Sequence, residues 1–141
     1  MIVRPARDAE EVAKALELRR RVFSLEQGVS ERADRDGRDH EAIHVVAFEE
    51  GVLRGTCRVL IRQDVAALGR LAVARGERRR GVGRAILAEA ERAARAGGAR
   101  RVALHAQLPA ERFYTREGYT RGGAPFVEQG IPHVTMEKRV A

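Results

Sequence analysis

Cysteine occurs once in this chain of 141 residues, at Cys57, and tryptophan not at all. A single thiol excludes an internal disulfide, which fits a reducing compartment. Lysine is nearly as scarce: Lys14 and Lys138 stand against 25 arginines, at a formal net charge of +7. Arginine excess with abundant alanine points to GC-rich coding more than to a nucleic-acid face. The arginines are spread through every segment. The aromatics (Phe23, Phe48, Phe113, Tyr114, Tyr119, Phe126) are not interleaved with them as a base-stacking platform requires. No apolar run approaches the ~20 residues that span a bilayer. The start, MIVRPARDAEEV, lacks the apolar centre of a secretory leader. The expectation is a soluble, cytoplasmic protein whose partner is neither nucleic acid nor membrane. Repeats, linkers and low-complexity tracts are missing too. One domain over residues 1–141 is expected, large enough to bury roughly 70% of its unfolded surface without metal or disulfide.

What is present alternates between strand and helix patterns. MIVRPA reads as a strand that stops at Pro5. Asp8, with Glu11 three residues on, resembles a capping box. The helix AEEVAKALELRRRVFSLEQ follows, with apolar residues at 12, 15, 16, 22 and 23. Arg19 falls on that apolar face and must snorkel or line a cavity. Residues 28–41, GVSERADRDGRDHE, have no period and read as a solvated loop, long enough to be functional. Its acids alternate with arginine and lack the order of metal ligands, so no metal is expected. AIHVVAFEE and LRGTCRVLIR read as a hairpin turning at Glu50-Gly51, and ALGRLAVA as a third strand. VGRAILAEAERAARAG is an amphipathic helix closed by Gly97-Gly98. RRVALHAQ is a strand, PAERFYTREG a short helix, and the remainder two strands. That order gives an α+β (mixed α/β) domain with one central, mixed, mostly antiparallel twisted sheet. About six to seven strands and flanking helices are expected.

Between the third strand and its helix lies ERRRGVGRA, Glu77–Ala85. A helix start offers unpartnered N–H groups and partial positive charge. Glycines let a ligand come close to the backbone, and arginine forks suit phosphate. The bland alternative is a solvated helix start. Two nucleotide patterns are excluded. Gly76 and Gly81 have P-loop spacing, but Val82-Gly83 replaces the lysine–hydroxyl pair. Gly81 and Gly83 begin G-x-G-x-x-G, but Ile86 takes the third place, and Ala103 lies where the ribose-binding acid belongs. What remains is R-x-x-G-x-G, met by Arg78, Gly81 and Gly83 after the strand LAV.

With that pattern, LAVARGERRRGVGRAIL resembles the coenzyme A motif of the GNAT acetyltransferases. About 30 residues downstream, PAERFYTREGYT is similar to the second signature of that family, A-x-x-F-Y-x-x-x-G-[FY], at Ala110, Phe113, Tyr114, Gly118 and Tyr119. LRRRVFSLEQGV, DRDGRDHEAIH and EQGIPHVTM resemble its ElaA-like subgroup, so the likeness covers most of the chain. Two departures exist: Gln107 where the family often has Asn, and Arg75 where a proline is common.

The resemblance implies an acetyl-CoA-dependent N-acetyltransferase of a GNAT-like fold, with acetyl-CoA as co-substrate. The GRLAV and RVALHA strands would be parallel neighbours that splay around it. Leu71, Ala72 and Val73 would hold the pantetheine arm and thioester through main-chain groups. Arg78, Arg79, Arg80, Gly81, Val82, Gly83 and Arg84 would hold the pyrophosphate, with Gln107 and Phe113 beside the arm. Tyr114 matches the phenol that protonates the leaving thiolate, and an N–H near Val73 would stabilise the oxyanion. A primary amine with a pKa near ~10.4 must lose a proton before it attacks. Glu26, His44, His105 and His133 are candidates for that base; Glu26, His44 and His133 also stand on the expected acceptor side. Glu26, Asp34, Asp36, Asp39 and Glu41 suggest a cationic amine, small molecule or peptide, and a homodimer is left open. Plainer readings stand beside these. In these, Tyr114 is a core phenol, the histidines are structural, and Glu26 is an ion-pair partner. The alternative to the enzyme is a module that holds coenzyme A without catalysis, which the presence of Tyr114 disfavours, and a basic RNA-binding domain is the third reading.

Overall fold

Alternation makes each central strand two-faced, and the sheet buries both faces in part. The computed structural model describes residues 1–78 and 80–141. Its strands are β1 (Ile2–Pro5), β2 (Ile43–Glu49), β3 (Val52–Arg62), β4 (Val65–Val73), β5 (Arg101–Gln107), β6 (Thr120–Arg121), β7 (Phe126–Glu128) and β8 (Ile131–Arg139). They form one eight-stranded sheet in the order β1-β2-β3-β4-β5-β8-β6, with β7 also paired to β8. Every pairing is antiparallel except β4–β5, which is parallel. The last segment thus holds three strands rather than two. Gly122, Gly123 and Pro125 interrupt the pattern, and the separated pieces β6 and β7 both lie along β8.

The helices are α1 (Ala9–Arg19), α2 (Glu31–Asp34), α3 (Val82–Ala96) and α4 (Glu111–Arg116). Asp8 caps α1 by accepting the Glu11 N–H. Beyond Arg19 the chain keeps winding, as a wider π-helical turn over Arg20–Glu26. Residues 28–41, expected as a loop, hold α2, capped by Ser30, and a 3-10 turn at Asp39–Glu41. The β2–β3 hairpin turns at Glu50 and Gly51, both at positive φ, as a two-residue connection requires.

The larger core lies between α3 and one sheet face. Val82, Ile86, Leu87 and Ala90 pack on Val59, Leu68, Val102 and Leu104. Each large aliphatic contributes about 1.5–3 kcal/mol on burial. Cys57 sits in this core at 1% exposure, and burial pushes its thiol pKa well up, which keeps the sulfur protonated. On the opposite face Leu18, Val22 and Ala72 form a smaller cluster under α1.

Strand β3 approaches α3 closely at Gly55. A Cβ there would stand 2.5 Å from Ile86 Cδ1, 3.0 Å from Val82 Cγ1 and 3.3 Å from the Ala72 carbonyl oxygen. Ile86 is fully buried and has nowhere to retreat. Gly55→Ala is expected to destabilise the chain by about 1–3 kcal/mol through overpacking. The check is the urea midpoint, which falls at an unchanged m-value; an unmoved midpoint would mean that α3 shifts freely.

Candidate active site

The site begins where β4 and β5 part. Their parallel pairing runs from Val65–Arg101 to Leu68–Leu104. On the other edge of β4 the register slips between Arg58–Gly69 and Thr56–Ala72. Arg70 and Leu71 therefore oppose Cys57 alone, and Arg70 takes a φ of 56°. This bulge swings β4 away from β5, because an inserted residue bends and twists its strand. Beyond it the Ala74 N–H donates to the Arg54 carbonyl at 2.8 Å. Ladder bonds alternate along an antiparallel strand, so the Val73 amide faces the opposite way, into the gap that β5 has left.

The chain then enters α3 through Gly81, whose φ of 83° favours glycine. Two residues on, a Cβ at Gly83 would lie 3.6 Å from Phe113 Cζ and 3.8 Å from Val73 Cγ2. The strand end, the glycine turn and α4 converge at this point. Around the gap runs a cleft of about 1170 Å³. It is lined by Leu71, Val73, Arg78, Gly81, Gly83 and Arg84 on the β4–α3 side, and by Gln107, Phe113 and Tyr114 on the β5–α4 side. Tyr114 is 7% exposed, with Phe113 and Tyr119 edge-on at ring distances of 5.0 and 5.8 Å. Burial, then Cys57, raises its pKa strongly, so the phenol keeps its proton as a donor. Among the described residues its hydroxyl makes no hydrogen bond. Across the mouth, Gln107 Nε2 donates to Gln27 Oε1 at 2.8 Å.

His105 and His133 also line the cleft, further along β5 and β8. The other expected residues lie elsewhere. Ala72 is buried in the smaller core and Val82 in the larger one. Arg80 turns outward to Glu77, at 3.5 Å, and Arg79 is outside the described residues. Glu26 is gripped by Arg78 Nη2 at 2.8 and 3.1 Å, while Arg78 Nε donates to the Val73 carbonyl at 3.1 Å. His44 is buried, with Nε2 2.8 Å from the Asp39 carbonyl oxygen, and does not line the cleft.

The arginine–aspartate segment is largely exposed, as expected of a solvated stretch, but Asp34 is buried and the aspartates are tied to arginines of the fold. Arg19, 1% exposed, neither snorkels nor lines a cavity. It binds Asp34 at 3.2 Å and Asp39 at 2.7 Å. Arg58 holds Asp36 at 2.8 Å and Asp39 at 3.3 Å, and Arg70 holds Asp34 at 3.2 Å and Asp36 at 3.4 Å. Three guanidinium groups thus neutralise three carboxylates and pin residues 33–39 against the cleft, which Ala33, Asp34, Asp36 and Arg38 line. Glu128 is a cleft residue that sequence reasoning passed over: its carboxylate stands between His105 and His133. The signal was present in EQGIPH, an acid five residues before a histidine, but nothing local tied either to His105.

A parallel strand pair that splays beside a glycine-led helix, with a buried phenol in the gap, defines an acyl-CoA transferase fold. The sequence pattern of the acetyltransferase (GNAT) domain matches residues 5–140, and the chain belongs to that family: it is a GNAT N-acetyltransferase. Its relatives include the uncharacterized N-acetyltransferase YjcF of Bacillus subtilis (strain 168), 33% identical over 134 residues, covering 94% of this chain and 96% of its own length. An acyl-CoA N-acyltransferase from Pseudomonas aeruginosa has the same fold at a TM-score of 0.84 and 26% identity, over 97% of both chains. Escherichia coli ElaA superposes at 0.87 with 23% identity, over 99% of this chain and all of its own. An aminoglycoside 6′-N-acetyltransferase complexed with coenzyme A does so at 0.80 with 17% identity, over 100% and 98%. ElaA is therefore one structural neighbour among several, and at that identity the likeness is one of fold.

Proposed function

We propose that this chain moves the acetyl group of acetyl-CoA to a primary amine by direct attack. The observation that carries the reading is the β4–β5 gap, into which the Val73 amide faces and whose cleft the protonated Tyr114 also lines. The residues suit the co-substrate. Unpaired backbone at the splay can bond the pantetheine amides, and the N–H groups that start α3 after Gly81 can receive the pyrophosphate.

The acceptor enters as an ammonium and gives one proton to a base; His105, on β5 at the cleft, supports that role best. The freed amine attacks the thioester carbonyl carbon, and a C–N bond forms. The Val73 N–H supports the oxyanion of the tetrahedral intermediate, a contribution of about 3 kcal/mol for one well-placed donor. The C–S bond then breaks, Tyr114 gives its proton to the departing thiolate, and the nitrogen's second proton restores the phenol. One proton leaves with the amide and coenzyme A.

The test is stabilisation by acetyl-CoA, read as a thermal shift, together with thiol release on adding primary amines. At a hundredfold excess over its dissociation constant, acetyl-CoA should add about 2.7 kcal/mol. A chain that acetyl-CoA does not stabilise is not such an enzyme.

A further inference from the structure

The acids that would attract a cationic acceptor are mostly spent. Asp34, Asp36 and Asp39 belong to the arginine cluster, Glu41 pairs with Arg38, and Glu26 with Arg78. Of the carboxylates along the cleft, Glu117 faces Arg84 at 3.2 Å. Glu128 remains, and among the described residues it pairs with no arginine or lysine.

Two histidines flank it instead. His105 Nδ1 is 3.0 Å from Glu128 Oε1, so its N–H donates to the carboxylate. His133 is 7% exposed, and its Nδ1–H donates to the Ile131 carbonyl at 2.7 Å. That bond leaves Nε2 as the acceptor of the neutral ring. Nε2 stands 3.7 Å from Glu128 Oε2, beyond hydrogen-bond reach, with no other partner among the described residues. Two acceptors thus face one gap without a donor between them. Phe126 fixes both imidazoles, edge-on to His105 at 5.0 Å and stacked on His133 at 6.0 Å. The gap opens into the cleft that all three polar residues line.

We propose that Glu128 and His133 Nε2 receive the acceptor's ammonium, a reading that rests on the acetyl-transfer function above. One –NH3+ nitrogen about 2.9 Å from each atom bridges them. Local charge sets the class of acceptor. The carboxylates of the arginine–aspartate cluster and Glu41 are each paired with arginine, so Glu128 is the cleft carboxylate left without an arginine or lysine partner among the described residues. The acceptor favoured beside it is a primary ammonium on an uncharged body. An acceptor that also carries a carboxylate brings a second negative charge towards Glu128, while the cleft arginines without a carboxylate partner among the described residues, Arg112 and Arg116, stand on α4.

The probes are hexylamine and the amino carboxylate of the same chain length. The parent chain should favour hexylamine in kcat/KM by at least about tenfold. Glu128→Gln should raise the hexylamine KM about 10- to 100-fold, because a charged hydrogen bond is lost. The acetyl-CoA KM and thermal shift should stay where they were, and Glu128→Asp should recover part of the loss. An unmoved hexylamine KM in Glu128→Gln overturns the proposal, as does equal use of the two amines. Acetyl-CoA binding without transfer to either amine also overturns it. Absence of acetyl-CoA binding is read separately, and sinks the function rather than the acceptor site.

Discussion

Tyr114→Phe should lower turnover by about 10²–10⁴-fold while leaving acetyl-CoA affinity within about twofold. The substitution removes one oxygen and keeps the ring that packs against Phe113 and Tyr119. The phenol makes no bond that the fold depends on, so stability should hold. Its raised pKa keeps the proton on the phenol across the neutral range, so the group is present as an acid at any working pH. Loss of an acid that acts only as the C–S bond breaks falls on kcat and kcat/KM together. The measurement is steady-state thiol release with calorimetric acetyl-CoA binding. An unchanged kcat would remove Tyr114 from the chemistry and leave it as a packing residue.

Arg19→Met is expected to cost about 3–5 kcal/mol, the largest stability loss of any single change proposed for this chain. The cause is less the lost attraction than the stranded acid. Asp34, 4% exposed, would keep a buried charge with only Arg70 to answer it. Urea unfolding measures the loss, and a cost under about 1 kcal/mol would show that water or another cation relieves the site. The same cluster gives a pH signature. The Arg58 hydrogen bond holds the Asp36 pKa well below the carboxylate range. For Asp39 burial pushes upward, but Arg19 and Arg58 outweigh it and the net shift is down. A folded-state pKa below the unfolded one contributes stability that is whole above about pH 4 and fades as pH falls further. The urea midpoint should therefore stay level from neutral pH to about 4–5 and drop below that.

The parts of the fold that depend on neighbours in sequence were legible. Asp8 with Glu11, Glu50-Gly51, and the spacing of Val82, Ile86 and Ala90 each carry their structure within a few residues. The two signatures could be read for the same reason, although only the fold brings Gly83 against Phe113. What stayed hidden depends on distant partners. Arg19 meets acids 15 and 20 positions away, so its burial cannot be read from helical period alone. The bulge at Arg70 has no glycine or proline at its centre to announce it. Strands β6 and β7 are too short for alternation to show. The acids expected to await a cationic acceptor each have an arginine partner that periodicity did not disclose. Glu128 escaped notice because its partners lie on two other strands.

The seclusion of Cys57 in the α3 core has a practical corollary. It is the chain's sole thiol, and neither access nor ionisation makes it a nucleophile while the chain is folded. A disulfide-exchange reagent added to the native enzyme therefore encounters coenzyme A as the reactive sulfur of the reaction mixture. The colour it develops counts turnovers without a protein background. One further equivalent, released only when the molecule opens, would count unfolded chains by the same dye.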